Sequence, residues 1–238
     1  MRDGLLSRNP ADAATPPTAK EAKAPEMHPW DAGQLAAFLG WAEGAAQNYP
    51  LWNTLAMTGM RRGEALALRW RDTDLDAATV SIRRSAGMVR IAGEGADVVE
   101  DDTKSGKPRV VDIDDDDAAA VLRAWKRERG ALALQLVTPD ALVFGDIEGR
   151  HRNPEHVSRQ FTRDVERCGQ VPAIRLHDLR HTHATVLLLT REPVHVVSQR
   201  LGHASPMVTL TVYAHVMPGN QRETARTFAR LVREAKGA

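Results

Sequence analysis

The sequence predicts a mainly helical α+β fold with one small antiparallel β-sheet set into it. Three observations carry this. Apolar residues recur at helical spacing before Trp70 and again after Pro154, they alternate between Val80 and Ile113, and proline repeatedly stands at the first position of a helical run. The chain has 238 residues, 42% of them hydrophobic, which suffices for a buried core in one large domain or two small ones.

The elements follow in order. Residues 1–29 are rich in Ala, Pro and Lys without apolar periodicity and read as a linker or tail, so the compact domain is expected to begin near Trp30. Asp31 can cap a first helix carrying Leu35, Phe38, Leu39 and Ala42. A second helix is predicted from about Leu51 to Met57, stopping at Thr58-Gly59, and a third starts near Arg62 and buries Leu66 and Leu68. Beyond Trp70, Val80 and Ile82 form one short strand and Met88 to Ile91 another. Val98-Val99 and Val110 to Ile113 flank a polar turn at Lys104-Ser105-Gly106-Lys107. Asp114 to Asp117 place negative charge at the N-terminus of a helix continued by Val121, Leu122 and Trp125, which reads as a cap and not a metal site. The remaining helices are predicted over Pro154 to Cys168, Leu176 to Leu189, Pro193 to Leu201, Pro206 to Tyr213 and Gln221 to Glu234.

Charge is distributed unevenly. The net value is +1, yet Arg150 to His203 holds nine arginines and seven histidines against five acids, whereas Glu94 to Asp117 holds ten acids. A basic C-terminal half is compatible with one face meeting a polyanion. The single cysteine, Cys168, excludes an internal disulfide framework and a cysteine-based zinc site. No run approaches the roughly 18 apolar residues of a membrane span, and the N-terminus lacks a secretory signal's apolar segment, so a cytoplasmic setting without membrane is expected.

Candidate chemistry begins with LHDLRHTHATVLLL, which puts His177, Arg180, His181 and His183 at the start of one helix. His177 and His181 have the spacing of a zinc-binding helix, but Asp178 replaces the usual glutamate and Arg180 would set a fixed positive charge against a cation. An anion suits the cluster better, because an arginine fork and a histidine one turn away both donate to phosphate oxygens. In TGMRRGEALAL, Arg61 and Arg62 open a helix at a tight junction, with Glu64 close enough to hold one of them. Lys104 lies at a turn, His203 follows Gly202 in RLGHAS, and Tyr213 ends a short helix. Each of these segments alone has an ordinary explanation as an ion pair, a wet turn, a cap or core packing.

Together, TGMRRGEALALRW, TKSGKPRVV, LHDLRHTHA and RLGHASPMVTLTVYAHV resemble, in order, the catalytic domain of the tyrosine recombinases, the phage-integrase family. The resemblance implies that domain's fold over residues 30–238, with residues 219–238 as a C-terminal tail helix and residues 1–29 as the linker from an upstream core-binding domain. It implies a site-specific DNA recombinase that cuts and rejoins DNA through a covalent 3′-phosphotyrosine. Arg61 corresponds to the first catalytic arginine, Lys104 to the hairpin lysine, with Lys107 the other lysine of that turn, and His177 and Arg180 to the H-x-x-R pair. His203 corresponds to the second histidine, Tyr213 to the nucleophile, and Glu64 to the acid that supports the arginine. His177 is expected to accept the phenolic proton, and His181 and His183 to pack or support. No metal or cofactor is implied. The implied partners are double-stranded DNA attachment sites, a homotetramer on synapsed DNA and accessory DNA-bending or excision factors, in the bacterial nucleoid. The neighbouring readings are a type IB topoisomerase, which uses a similar residue set, and a DNA-binding relative without catalysis.

Overall fold

The computed structural model describes residue 14 and residues 28–91, 95–102, 108–214 and 221–236. Lys104 and Lys107, and nearly all of the expected linker, lie outside the described residues.

Helix α1 (Ala32–Ala45) starts at a capping box: Asp31 accepts from the Gln34 amide at 2.8 Å, and the Gln34 side chain accepts from the Asp31 amide at 3.0 Å. Just before it, Trp30 is pinned at both ends. Its amide donates to Thr182 Oγ1 and its indole N–H to the Pro172 carbonyl, each at 2.9 Å. Helix α2 (Tyr49–Thr58) carries Pro50 in its first turn and ends at Gly59, which adopts φ +63°. Glycine is required there twice over, because a Cβ would sit 2.7 Å from the His183 ring and 2.8 Å from Leu201. Helix α3 (Arg62–Leu66) follows at once.

The expected single sheet is two. Strands β1 (Thr73–Asp74), β2 (Thr79–Ile82) and β5 (Arg109–Asp112) form an antiparallel sheet in the order β1-β2-β5, with Val80 opposite Val111 and Ile82 opposite Arg109. Strands β3 (Arg84–Ile91) and β4 (Gly95–Asp102) pair only with each other, Arg84 opposite Asp102. Val98-Val99 thus pairs backward in the chain and not across the lysine turn. Glu100 of β4 is tied to other segments, bonding Arg69 at 2.7 Å and His151 at 2.9 Å, while Arg84 of β3 joins Asp72. Asp114 caps the next helix by accepting from the Asp116 and Asp117 amides at 3.0 Å. A π-turn over Asp115–Ala119 then leads into α4 (Ala120–Leu132).

Helix α5 (Pro154–Cys168) completes an aromatic core in which Trp30, Phe38, Trp52 and Phe161 meet with ring centroids 5.2 to 6.2 Å apart. Helix α6 (Asp178–Leu189) packs against α2, and α7 (Val194–Leu201) and α8 (Pro206–Tyr213) pack against each other. Here a second, smaller apolar cluster forms from Ala184, Leu188, Val197, Leu201 and Tyr213. Helix α9 (Gln221–Lys236) closes the described chain with every described side chain exposed. No helix among the described residues is long and apolar enough to cross a membrane.

Candidate active site

The site is assembled where the α2–α3 junction, β5 and the α6–α8 segment converge. Glu64 is its hub. Its fully buried carboxylate accepts from the Arg61 amide at 2.8 Å and from Arg61 Nη1 at 2.9 Å. It also accepts a two-pronged bond from Arg109, Nη1 at 3.0 Å and Nη2 at 2.7 Å. Burial alone would raise the Glu64 pKa, but the hydrogen bonds and charges of Arg109 and Arg61 outweigh it and hold the carboxyl below its ordinary range. Arg109 spends its remaining Nε–H on the Arg200 carbonyl at 3.0 Å, which ties β5 to α7. Gly202, at φ +67°, leaves room for this guanidinium, since a Cβ there would lie 2.7 Å from Arg109 Nη1.

Arg180 is buried and aimed by neutral groups. Its Nη1 donates to the Gly59 carbonyl at 2.7 Å and its Nη2 to the Leu201 carbonyl at 2.8 Å. These two bonds join the C-termini of α2 and α7 through α6. Burial, then the charge of Arg61, pushes the Arg180 pKa down to about 9, which still leaves it cationic at neutral pH. Three guanidinium groups, Arg61, Arg109 and Arg180, therefore share one carboxylate, Glu64. Such a cluster is short of negative charge, and an anion would relieve the repulsion.

The histidines divide by what they touch. His177 stands at the start of α6 and opens onto a cleft of about 670 Å³ that is also lined by Arg61, Arg62, Ser158, Arg159 and Arg175. Asp178 beside it is clamped by the Arg175 amide and guanidinium at 2.8 to 3.1 Å, which fixes the first turn of α6. His203 pairs through Nδ1 with Thr209 Oγ1 at 2.7 Å, and so holds the loop before α8 against that helix. Desolvation and the surrounding arginine charges hold both His177 and His203 down to about 4, so both are neutral hydrogen-bonding groups at pH 7. His183 joins two neighbours: its Nδ1–H donates to the Ala56 carbonyl at 2.8 Å and its Nε2 accepts from Arg200 at 3.0 Å. Arg200 also donates to the Asp112 and Met57 carbonyls, each at 2.8 Å, fastening α7 to β5 and α2.

Tyr213 is 2% exposed, and its ring completes the small apolar cluster. Its hydroxyl does not reach for His177. It lies 2.7 Å from His181 Nδ1, and the His177 and His181 rings meet edge to face at 5.0 Å between centroids. Burial raises the phenol to about 12, with Arg180 opposing the shift. The structure thus brings Arg61, Glu64, His177, Arg180, His203 and Tyr213 to one region. It adds Arg109, Arg200 and a direct partner role for His181. The sequence held a signal for His181, which shares the stripe of His177, but none for Arg109, whose partner lies 45 residues away.

A profile of the Phage integrase family matches residues 30–219. The chain belongs to the phage integrase family. Among its relatives, the ICEBs1 integrase of Bacillus subtilis (strain 168) is 28% identical over 233 residues, covering 94% of this chain and 60% of that protein. Tyrosine recombinase XerC of Xanthomonas axonopodis pv. citri (strain 306) is 28% identical over 216 residues, covering 91% of this chain and 62% of that protein. The chain therefore spans about 60% of the length of these integrase-family relatives. Of the solved structures, the Tn1549 transposon integrase in complex with circular intermediate DNA matches with a TM-score of 0.69 at 19% identity, covering 88% of this chain and 68% of that one. The XerA recombinase matches with a TM-score of 0.62 at 21% identity, over 87% and 66% of the two chains. The fold is that of the tyrosine recombinase catalytic domain, mostly helical with small antiparallel sheets.

Proposed function

We propose that this chain is the catalytic domain of a site-specific DNA recombinase, an integrase that moves a phage or mobile element by way of a covalent 3′-phosphotyrosine. One observation carries the reading. The Tyr213 hydroxyl is held beside α6 near Arg180, in a cluster whose guanidinium groups outnumber its carboxylate.

A DNA phosphodiester repels nucleophiles through its charged oxygens. Arg61, open to the cleft, and Arg180, fixed by two carbonyls, supply the donors that would neutralise that charge and stabilise a pentavalent phosphorus. Neutral His177 and His203 add hydrogen bonds without adding fixed charge. Glu64 acts through Arg61 by holding its backbone and side chain together. Attack by Tyr213 forms an O–P bond and expels a 5′ oxygen, and Lys104 is the group assigned to protonate it. Because the phosphate passes to tyrosine and not to water, the bond is conserved and a second DNA end can reverse the step. No metal or other cofactor enters this scheme.

Double-stranded DNA attachment sites are the proposed substrate, bound across the basic cleft in the cytoplasm, on the bacterial nucleoid. The proposed active unit is a homotetramer on synapsed DNA, assisted by accessory bending or excision factors. The exposed apolar stripe of α9 supports assembly: Phe228 is 70% and Leu231 56% exposed, a face suited to a neighbouring subunit. Incubation with a library of nicked suicide duplexes of randomised sequence should leave an SDS-stable protein–DNA adduct with the wild-type chain and none with Tyr213→Phe. An adduct of equal yield from Tyr213→Phe contradicts the proposal.

A further inference from the structure

We infer that His181, and not His177, is the group that takes the phenolic proton when Tyr213 attacks phosphorus. The inference rests on the recombinase reading above and adds a catalytic residue to it.

Geometry separates the two histidines. His181 Nδ1 lies 2.7 Å from the Tyr213 hydroxyl, a hydrogen bond between a candidate base and the atom that must lose its proton. His177 lies one helical turn earlier, edge-on to His181, and faces the cleft among Arg61, Arg62 and Arg175. It is placed to donate to a phosphate oxygen, and a donor to phosphate cannot at the same time accept from the phenol through the same nitrogen.

The surroundings prepare His181 for the task. From α6 it faces Asp178, Arg180 and His177, from the segment before α6 Arg175, and from α8 Tyr213. Desolvation, Arg180 and Arg175 lower its pKa and Asp178 opposes them, which keeps the imidazole neutral and able to accept at neutral pH. Tyr213, raised to about 12 by burial, keeps its proton until attack. At pH 7 only about one phenol in 10⁵ would be ionised unaided, so a base in contact contributes substantially. Asp178, itself clamped by Arg175, sits on the same helix where it can offset the imidazolium charge once formed.

The step balances as follows. The Tyr213 oxygen forms the bond to phosphorus, its proton passes to His181 Nδ1, the P–O5′ bond breaks, and the leaving oxygen takes a proton from the ammonium assigned to Lys104. On rejoining, the 5′ hydroxyl displaces tyrosine and His181 returns the proton to the departing phenolate. This requires the neutral tautomer of His181 with its proton on Nε2.

The test follows single-turnover formation of the SDS-stable adduct on a duplex recovered from the randomised suicide library. His181→Gln keeps a hydrogen-bond acceptor but cannot hold the proton, and should cleave about 10²- to 10⁴-fold more slowly than wild type while melting at the same temperature. Incorporating 3,5-difluorotyrosine at position 213, whose phenol is more acidic, should recover tenfold or more of that loss. In the free protein, long-range ¹H–¹⁵N NMR should find Nδ1 of His181 unprotonated and shifted in Tyr213→Phe. Equal rates for wild type and His181→Gln, a loss indifferent to phenol acidity, or an Nδ1–H tautomer would each overturn the inference. A wild-type chain that makes no adduct at all strikes instead at the recombinase reading, which the NMR result leaves untouched.

Discussion

Helices α6 and α9 both carry large apolar side chains, and the structure treats them in opposite ways. In α6 the residues Asp178, Leu179, Arg180, Thr182, Ala184, Thr185 and Leu188 are buried; Arg180 bonds the ends of α2 and α7, Thr182 accepts from the Trp30 amide, and Asp178 is clamped by Arg175 just before the helix. In α9 every described side chain is exposed, including Phe228, Leu231 and Val232. Periodicity says that a face wants covering and is silent on what covers it. Where the cover lies in the same chain, as for α6, one residue serves fold and site together. For α9 the described residues supply no such cover, and its apolar side chains stay exposed.

The sharpest way to break this contrast is at Arg180. Arg180→Ala removes the donor to the Gly59 and Leu201 carbonyls together with a charge on the proposed phosphate, so adduct formation should fall about 10²- to 10³-fold and the melting temperature should drop as well. Arg180→Lys should fail to restore the rate, since a single ammonium does not span both carbonyls as a planar fork does. A variant with normal stability and normal adduct yield would separate the two roles that α6 is said to combine.

At the hub, Glu64→Ala leaves Arg109 and Arg61 without their carboxylate, and urea unfolding should report a loss of about 3 to 5 kcal/mol. The same group gives a pH signature. Its folded pKa lies below the ordinary value, so its stabilisation is present above the usual carboxylate range and is lost as pH falls through the lower folded value.

His183 gives a smaller effect at higher pH. It is held neutral at about 4 against an ordinary 6.5, with burial and then Arg200 opposing its charge. Its folded value is depressed, so stability should be intact above pH 6.5 and decline by on the order of 2 to 3 kcal/mol as pH drops towards 4, as measured by urea midpoints. In His183→Gln that decline should shrink.

The smallest effect on the monomer belongs to α9. Phe228→Ser combined with Leu231→Ser should leave monomer stability within about 0.5 kcal/mol of wild type, while sedimentation on DNA should show the assembled species lost. A large fall in monomer stability would mean that α9 is covered by its own chain after all.

The same contrast explains what could be read in advance. The order of helices and the pairing of His177 with Arg180 were legible because both rest on spacing within a turn or two, as does the bond from Glu64 to Arg61. Arg109 and Arg200 were not legible, since their partners come from β5, α2, α3 and α6, far along the chain. The sequence puts His181 on the stripe of His177 but does not show its contact with Tyr213, 32 positions on in α8. Nor was the split into two sheets legible: Glu100 of β4 meets Arg69, Arg84 and His151, which come from three separate segments. Lys104 carries an expectation that the described residues do not address.

The most direct test of the central claim uses a property of the chain itself: it has two tyrosines, Tyr49 and Tyr213. Proteolysis of the adduct from a suicide duplex, followed by mass spectrometry of the DNA-linked peptide, returns one or the other. The account requires the nucleotide on the peptide containing Tyr213. Nucleotide on Tyr49, which lies at the start of α2, would contradict it.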